Sequence, residues 1–87
     1  MTNDQIKDQI RQFIMTNFVF DKRRVLKDEE SLLESGVVDS TGILELIAHL
    51  EEHFAVKVED IEFRAENFDS IERITTFVAK KLSAGAN

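Results

Sequence analysis

Three stretches of this chain place apolar residues three and four positions apart, and no proline interrupts any of them. No other feature constrains the fold as much. A helix turns one side chain toward a core about every 3.6 residues, whereas a half-buried strand alternates. Proline breaks the backbone ladder of a helix interior, and glycine weakens it. With no Pro and only three Gly in 87 residues, three amphipathic helices can run unbroken.

The first stretch covers residues 3 to about 18. Ile6, Ile10, Phe13, Ile14 and Phe18 share one face, and Thr2 with Gln5 has capping-box spacing. The second runs from Ser40 to Phe54, with Ile43, Leu46, Ile47, Leu50 and Phe54 as its buried stripe. The last is expected to be capped by Asp69, with Glu72 at the third helical position. Its inner stripe is Ile71, Ile74, Val78 and Leu82, supported by Phe77.

The connections are less regular. Residues 19–38 show no sustained period and predict a long loop between the first and second helices. Leu32 and Leu33 are expected to anchor it, and Gly36 to turn it. Val56 and Val58 suit an extended segment, and Glu59 to Phe63 suit a short third helix. Phe63 and Phe68 are expected to tie that region over the core. The predicted fold is all-α: a small four-helix bundle of three longer helices and one short one. Residues 1–87 form a single domain, with an ordered core over about 3–83 and a frayed tail at 84–87.

Charge and composition exclude several function classes. There is no Cys, so no disulfide frame and no thiolate metal site can form. Residues 28–72 hold 14 acidic and two basic groups, and the remainder hold three acidic and nine basic, for a net charge of −6. Nucleic acid demands basic surface, so it is not an expected partner. The acidic middle would instead steer basic partners. No apolar run approaches the roughly 20 residues of a membrane span, and MTNDQIKDQI is unlike a signal peptide. A cytoplasmic monomer, not integral to a membrane, is expected.

The enzyme-like motifs are weak. HLEEH (residues 49–53) matches H-x-x-E-H, and His49 with His53 could bind one metal from a single helix face. The chain has only these two His, so an acidic residue would have to supply the third ligand. Both also lie on the helix flank beside the buried stripe, where exposed His is ordinary; no metal site is expected. Ser40 as a nucleophile would need a nearby base. Both His residues lie further along the same helix, roughly 13 and 20 Å away at 1.5 Å per residue. There is no Gly-rich phosphate loop, and no catalytic residue is assigned.

VVDST (residues 37–41) remains. Asp39 is a favoured cap for the second helix, and Ser40 opens its first turn. Either Ser40 merely tolerates that position, or it is presented there for modification. On a helical wheel, Leu44 and Ala48 point away from the buried stripe, rimmed by Glu45, Glu51 and Glu52. An apolar spot with an acidic rim suits a docking surface.

Residues 32–54, LLESGVVDSTGILELIAHLEEHF, resemble the core of an acyl carrier protein. The shared features are the D-S pair, the upstream Leu-Leu and Gly, and the helix ending in E-E-x-F at Glu51 to Phe54. In pattern the resemblance extends over roughly residues 4–82. It implies covalent 4′-phosphopantetheine on Ser40, Asp39 as its acidic neighbour, and a partner face of Leu44, Glu45, Ala48, Glu51 and Glu52. It implies no enzymatic activity of its own, and as partners a phosphopantetheinyl transferase, an AMP-forming ligase and an acceptor transferase or synthase. LLESGVVDS and ENFDSI look more like free-standing D-alanyl and other aminoacyl carriers than like central fatty-acid or polyketide carriers. Thr41 and Gly42 depart from the common pattern after the serine. An unmodified acidic docking module is the alternative from a different class.

Overall fold

The computed structural model describes residues 1–85. It contains α1 (Asn3–Phe18), α2 (Ser40–Phe54), α3 (Ala65–Phe68) and α4 (Ile71–Gly85), with a 3-10 turn at Asp60–Glu62 between α2 and α3. The described residues include no strand. The bundle is the all-α fold expected, with three long helices, one short one and a long α1–α2 loop.

α1 starts at the predicted capping box. The Thr2 hydroxyl accepts from the Gln5 N–H at 3.1 Å, and the Thr2 N–H donates to Gln5 Oε1 at 2.8 Å. α1 and α2 run antiparallel. Gln9 meets His53, Phe13 meets His49, and Phe18 packs against Gly42. The C-terminal end of α1 therefore lies beside the N-terminal end of α2. α4 packs mainly on α1. Ile6, Ile10, Ile14, Leu46, Leu50, Ile74 and Val78 are all fully buried between these helices. Each such side chain contributes about 1.5–3 kcal/mol as an upper estimate.

The α1–α2 loop is long but pinned. Leu26, Leu32 and Val38 are buried in the core. Arg11 donates to the Leu26 carbonyl and the Asp28 carboxylate. Lys7 bridges Asp28 at 3.1 Å and Glu72 at 2.9 Å. Gly36 makes its turn at φ 78°, in the left-handed region. Of the Leu-Leu pair, only Leu32 anchors the loop; Leu33 is 40% exposed.

Two other expectations are corrected. The α-helical turn of the third segment is Ala65–Phe68, and Glu59–Phe63 forms only the 3-10 turn. Phe63 donates its N–H to the Asp60 carbonyl at 3.2 Å, and Arg64 is extended at φ −139° and ψ 147°. The reason is burial. Ile61 and Phe63 face outward, while Phe68 is in the core, so the turn that carries Phe68 is the one packing favours.

The cap of α4 is Ser70, not Asp69. The buried Ser70 hydroxyl accepts from the Arg73 N–H at 3.0 Å, which places Arg73 rather than Glu72 at the third position. Asp69 instead closes α3, donating its N–H to the Ala65 carbonyl at 2.8 Å. Its carboxylate accepts from the Ser31 hydroxyl at 2.6 Å and the Leu33 N–H at 2.9 Å. α4 continues to Gly85, so Ala84 is helical; residues 86 and 87 of the expected frayed tail lie outside the described residues. Among the described residues, no helix is long and apolar enough to cross a membrane.

Candidate functional site at the start of α2

Asp39 is the N-cap of α2, extended at φ −93° and ψ −177°. Its Oδ1 accepts from the Gly42 N–H at 2.6 Å, and its carbonyl accepts from the Ile43 N–H at 3.0 Å. The cap satisfies one free donor of the first turn and sets the direction in which Ser40 leaves the helix. Ser40 is exposed at the first helical position, and its hydroxyl makes no hydrogen bond among the described residues. Thr41 is exposed as well, but points about 100° away around the helix.

Gly42 is buried for a local reason. A Cβ there would lie 2.9 Å from Phe18 Cε1, 3.2 Å from Asp39 Oδ1 and 3.2 Å from Val38 Cγ1. The glycine lets the end of α1 approach the first turn of α2, which fixes the base on which Ser40 stands.

A cleft of about 110 Å³ opens on this side of the molecule, lined by Leu33, Ile43, Phe63, Arg64, Ala65, Phe68 and Asp69. Ile43 is one turn beyond Ser40, on the same side of α2. Leu33 and Phe63, 40% and 47% exposed, make its apolar rim. The sequence reading did not place them at the site. One signal was available: adjacent side chains diverge in a turn as they do in a strand, so of two adjacent leucines one faces out.

The outer face of α2 has Leu44 at 57% exposed, with Glu45, Ala48 and Glu52 also exposed. Glu51 is turned inward along the chain. Its Oε2 accepts from the Val58 N–H at 2.9 Å, so it holds the segment after α2 rather than standing free on a rim.

The two histidines face α1, away from Ser40. His49 stacks flat on Phe13, with ring centroids 3.6 Å apart, and His53 Nε2 lies 2.6 Å from Gln9 Oε1. Desolvation, reinforced by the nearby His53, holds the His49 pKa below the ordinary imidazole value of 6.5. Among the described residues, no cluster of three or more His, Cys, Asp or Glu could hold a metal ion.

This arrangement fits a covalently attached, phosphate-linked group. The hydroxyl is unpaired and open, and the N–H groups of Ser40 and Thr41 sit at a helix N-terminus that favours negative charge. An exposed hydroxyl on a rigid helix end, beside an apolar cleft, suits a domain that presents an attached group to other proteins.

Comparison with known proteins agrees. The family described as "Phosphopantetheine attachment site" matches residues 8–78, and the chain belongs to this family of phosphopantetheine-binding carrier domains. The group such a domain carries is covalent 4′-phosphopantetheine. The chain is 33% identical over 79 residues to the D-alanyl carrier protein of Streptococcus suis (strain 98HAH33), covering 91% of this chain and 98% of that one. It is 33% identical over 69 residues to the D-alanyl carrier protein of Streptococcus mutans serotype c (strain ATCC 700610 / UA159), covering 79% and 85%. It is 39% identical over 59 residues to that of Streptococcus uberis (strain ATCC BAA-854 / 0140J), covering 68% and 73%.

Proposed function

We propose that Ser40 is the attachment residue and that the chain is an aminoacyl carrier. The observation that carries this reading is the Ser40 hydroxyl, unpaired and exposed at the head of a capped helix. The arm supplies a thiol, which this Cys-free chain lacks, and cargo rides on it as a thioester. Asp39 holds the first turn through Gly42. The Ser40 and Thr41 N–H groups, at the helix N-terminus, would favour the negative charge of the phosphodiester.

A phosphopantetheinyl transferase installs the arm, an AMP-forming ligase loads it, and an acceptor transferase or synthase unloads it. The relatives named as D-alanyl carriers support a small amino acid as cargo. The cleft supports the same choice. At about 110 Å³ it is small, which suits a small cargo. The partner face is Leu44, Ala48, Glu45 and Glu52, extended by Leu33 and Phe63 across the cleft rim. Glu51 contributes by holding the segment behind it. The carrier acts as a cytoplasmic monomer in a specialised biosynthetic pathway.

The test is intact mass after incubation with coenzyme A and a broad-specificity phosphopantetheinyl transferase. Wild type gains one phosphopantetheine, and Ser40→Ala gains none while keeping its circular dichroism. Modification of Ser40→Ala would refute the assignment, as would a wild type that is never modified. Loading the modified protein with ATP, a D-alanine-activating AMP-forming ligase and D-alanine then tests the cargo class.

A further inference from the structure

We propose that the tip of the α1–α2 loop, residues 20–27, docks this carrier on an anionic phospholipid surface. Two large apolar side chains stand almost fully in water there: Phe20 is 98% exposed and Val25 is 79% exposed. Between and beside them are Lys22, Arg23, Arg24 and Lys27, with Asp21 the single acid of the segment. A locally basic tip stands out on a chain whose net charge is −6.

The tip is held outward by its own chemistry. Lys22 Nζ donates to the Met15 carbonyl and, at 2.7 Å, to the Val19 carbonyl, capping the C-terminal end of α1. The Arg24 N–H donates to the Asp21 carbonyl at 3.0 Å, closing a turn. Arg23 pairs with Asp21, and Arg24 pairs with Glu30. The Arg23–Asp21 pair is solvent-exposed, and such pairs are weak and exchange readily, so the Arg23 guanidinium can turn to lipid phosphate, while Arg24 stays on the half-buried Glu30.

The shape favours lipid over a protein groove. Leu44 and Phe63 are each about half packed on the domain's own surface, at 57% and 47% exposed. Phe20 and Val25 instead cap a convex turn. A bilayer interface needs no preformed complement; it takes an aromatic ring at headgroup depth and basic side chains at its phosphates. Of the acidic face of α2, Glu51 and Glu52 lie roughly 17 Å along the helix from Ser40 at 1.5 Å per residue, beyond a screening length of about 8–10 Å, while Glu45, roughly 8 Å along, is the one acid of that face near this end.

Position gives the docking a consequence. Phe18 packs on Gly42, so the loop tip and Ser40 share one end of the molecule. A carrier seated by this tip presents its arm at the membrane surface; that consequence rests on the Ser40 assignment, but the docking does not.

The experiment therefore uses the full chain without phosphopantetheine. Sedimentation is measured with vesicles of phosphatidylcholine alone and with vesicles containing roughly a third phosphatidylglycerol, at low and high salt. Wild type should bind only the anionic vesicles, and less at high salt. Phe20→Ser should lose about tenfold in partitioning, Arg23→Glu several-fold, and Leu44→Ala nothing. Phe20 and Arg23 are exposed, so circular dichroism should not change. Equal binding to both vesicle types, or to neither, overturns the proposal. So does wild-type vesicle binding by Phe20→Ser; if that variant, once separately given its phosphopantetheine arm, is also slow to load with the ligase, the loop is a protein-docking surface.

Discussion

At Gly42, helix propensity and packing pull in opposite directions. Alanine there would favour the helix by about 1 kcal/mol, yet its Cβ would meet Phe18 Cε1 at 2.9 Å. Overpacking typically costs about 1–3 kcal/mol. Gly42→Ala should therefore lose about 1 kcal/mol net, and Phe18→Ala with Gly42→Ala should lose less than the two single losses together. Urea denaturation of the four proteins checks this; a single variant as stable as wild type would show that Phe18 yields freely. His49 makes the second prediction at this scale. Burial beside Phe13 and the nearby His53 disfavour its charged form, so its folded pKa lies below 6.5. The unfolded chain then binds more protons, and stability rises with pH through this range. The contribution is present above about pH 6.5 and lost as pH falls below it. Wild type should unfold at lower urea at pH 5.5 than at pH 7.5, and His49→Phe should reduce that difference.

Among the elements, α2 is well defined at its start and strained at its end. Asp39 caps the first turn, but the C-terminal cap is Ala55 at φ 55° and ψ 44°, a left-handed position held by a residue with a Cβ. Glycine is the ordinary occupant there. Left-handed backbone costs an alanine about 1–2 kcal/mol, partly offset by the greater freedom of glycine in the unfolded chain. Ala55→Gly should therefore raise stability by about 0.5–1 kcal/mol, and Ala55→Val should lower it, both read from thermal unfolding. If Ala55→Gly is neutral or harmful, other contacts of the segment outweigh its backbone strain. The Glu51 bond to the Val58 N–H holds that segment too, and it withdraws Glu51 from the acidic face that the helical wheel assigns to it.

For the whole molecule, Asp69 joins parts of the chain that are far apart in sequence. It ends α3, precedes the Ser70 cap of α4 and accepts two hydrogen bonds from the α1–α2 loop. Hydrogen bonds to a charged group are worth about 1.5–3 kcal/mol each at most. Because the Leu33 N–H is exposed, Asp69→Ala should cost about 2 kcal/mol in total. The Leu33 amide should exchange faster in that variant, while the α1 amides of Ile10 and Ile14 change only with global stability. Unchanged exchange at Leu33 would mean that Leu32 alone, donating to the Asp69 carbonyl, holds the loop. The cleft beside Ser40 has Leu33 on one side and Phe63 on the other, so this junction also sets its shape.

Local chemistry in the sequence was enough to determine the three long helices. The stripes at Ile6 to Phe18, Ile43 to Phe54 and Ile71 to Val78 are periodic, and the Thr2 and Asp39 caps act on N–H groups within three residues. The position of Ser40 at the head of α2 was legible for the same reason. What the sequence left open depends on neighbours far along the chain. Asp69 and Ser70 are both capping residues, and only the bonds from Ser31 and Leu33 decide that Asp69 serves the loop while Ser70 serves α4. Leu32 and Leu33 are the same residue type, and only packing decides which one is buried. The third segment lacks a periodic stripe, so its helical turn formed where Phe68 could reach the core. A short helix has too few internal hydrogen bonds to hold itself, and burial therefore chooses its place.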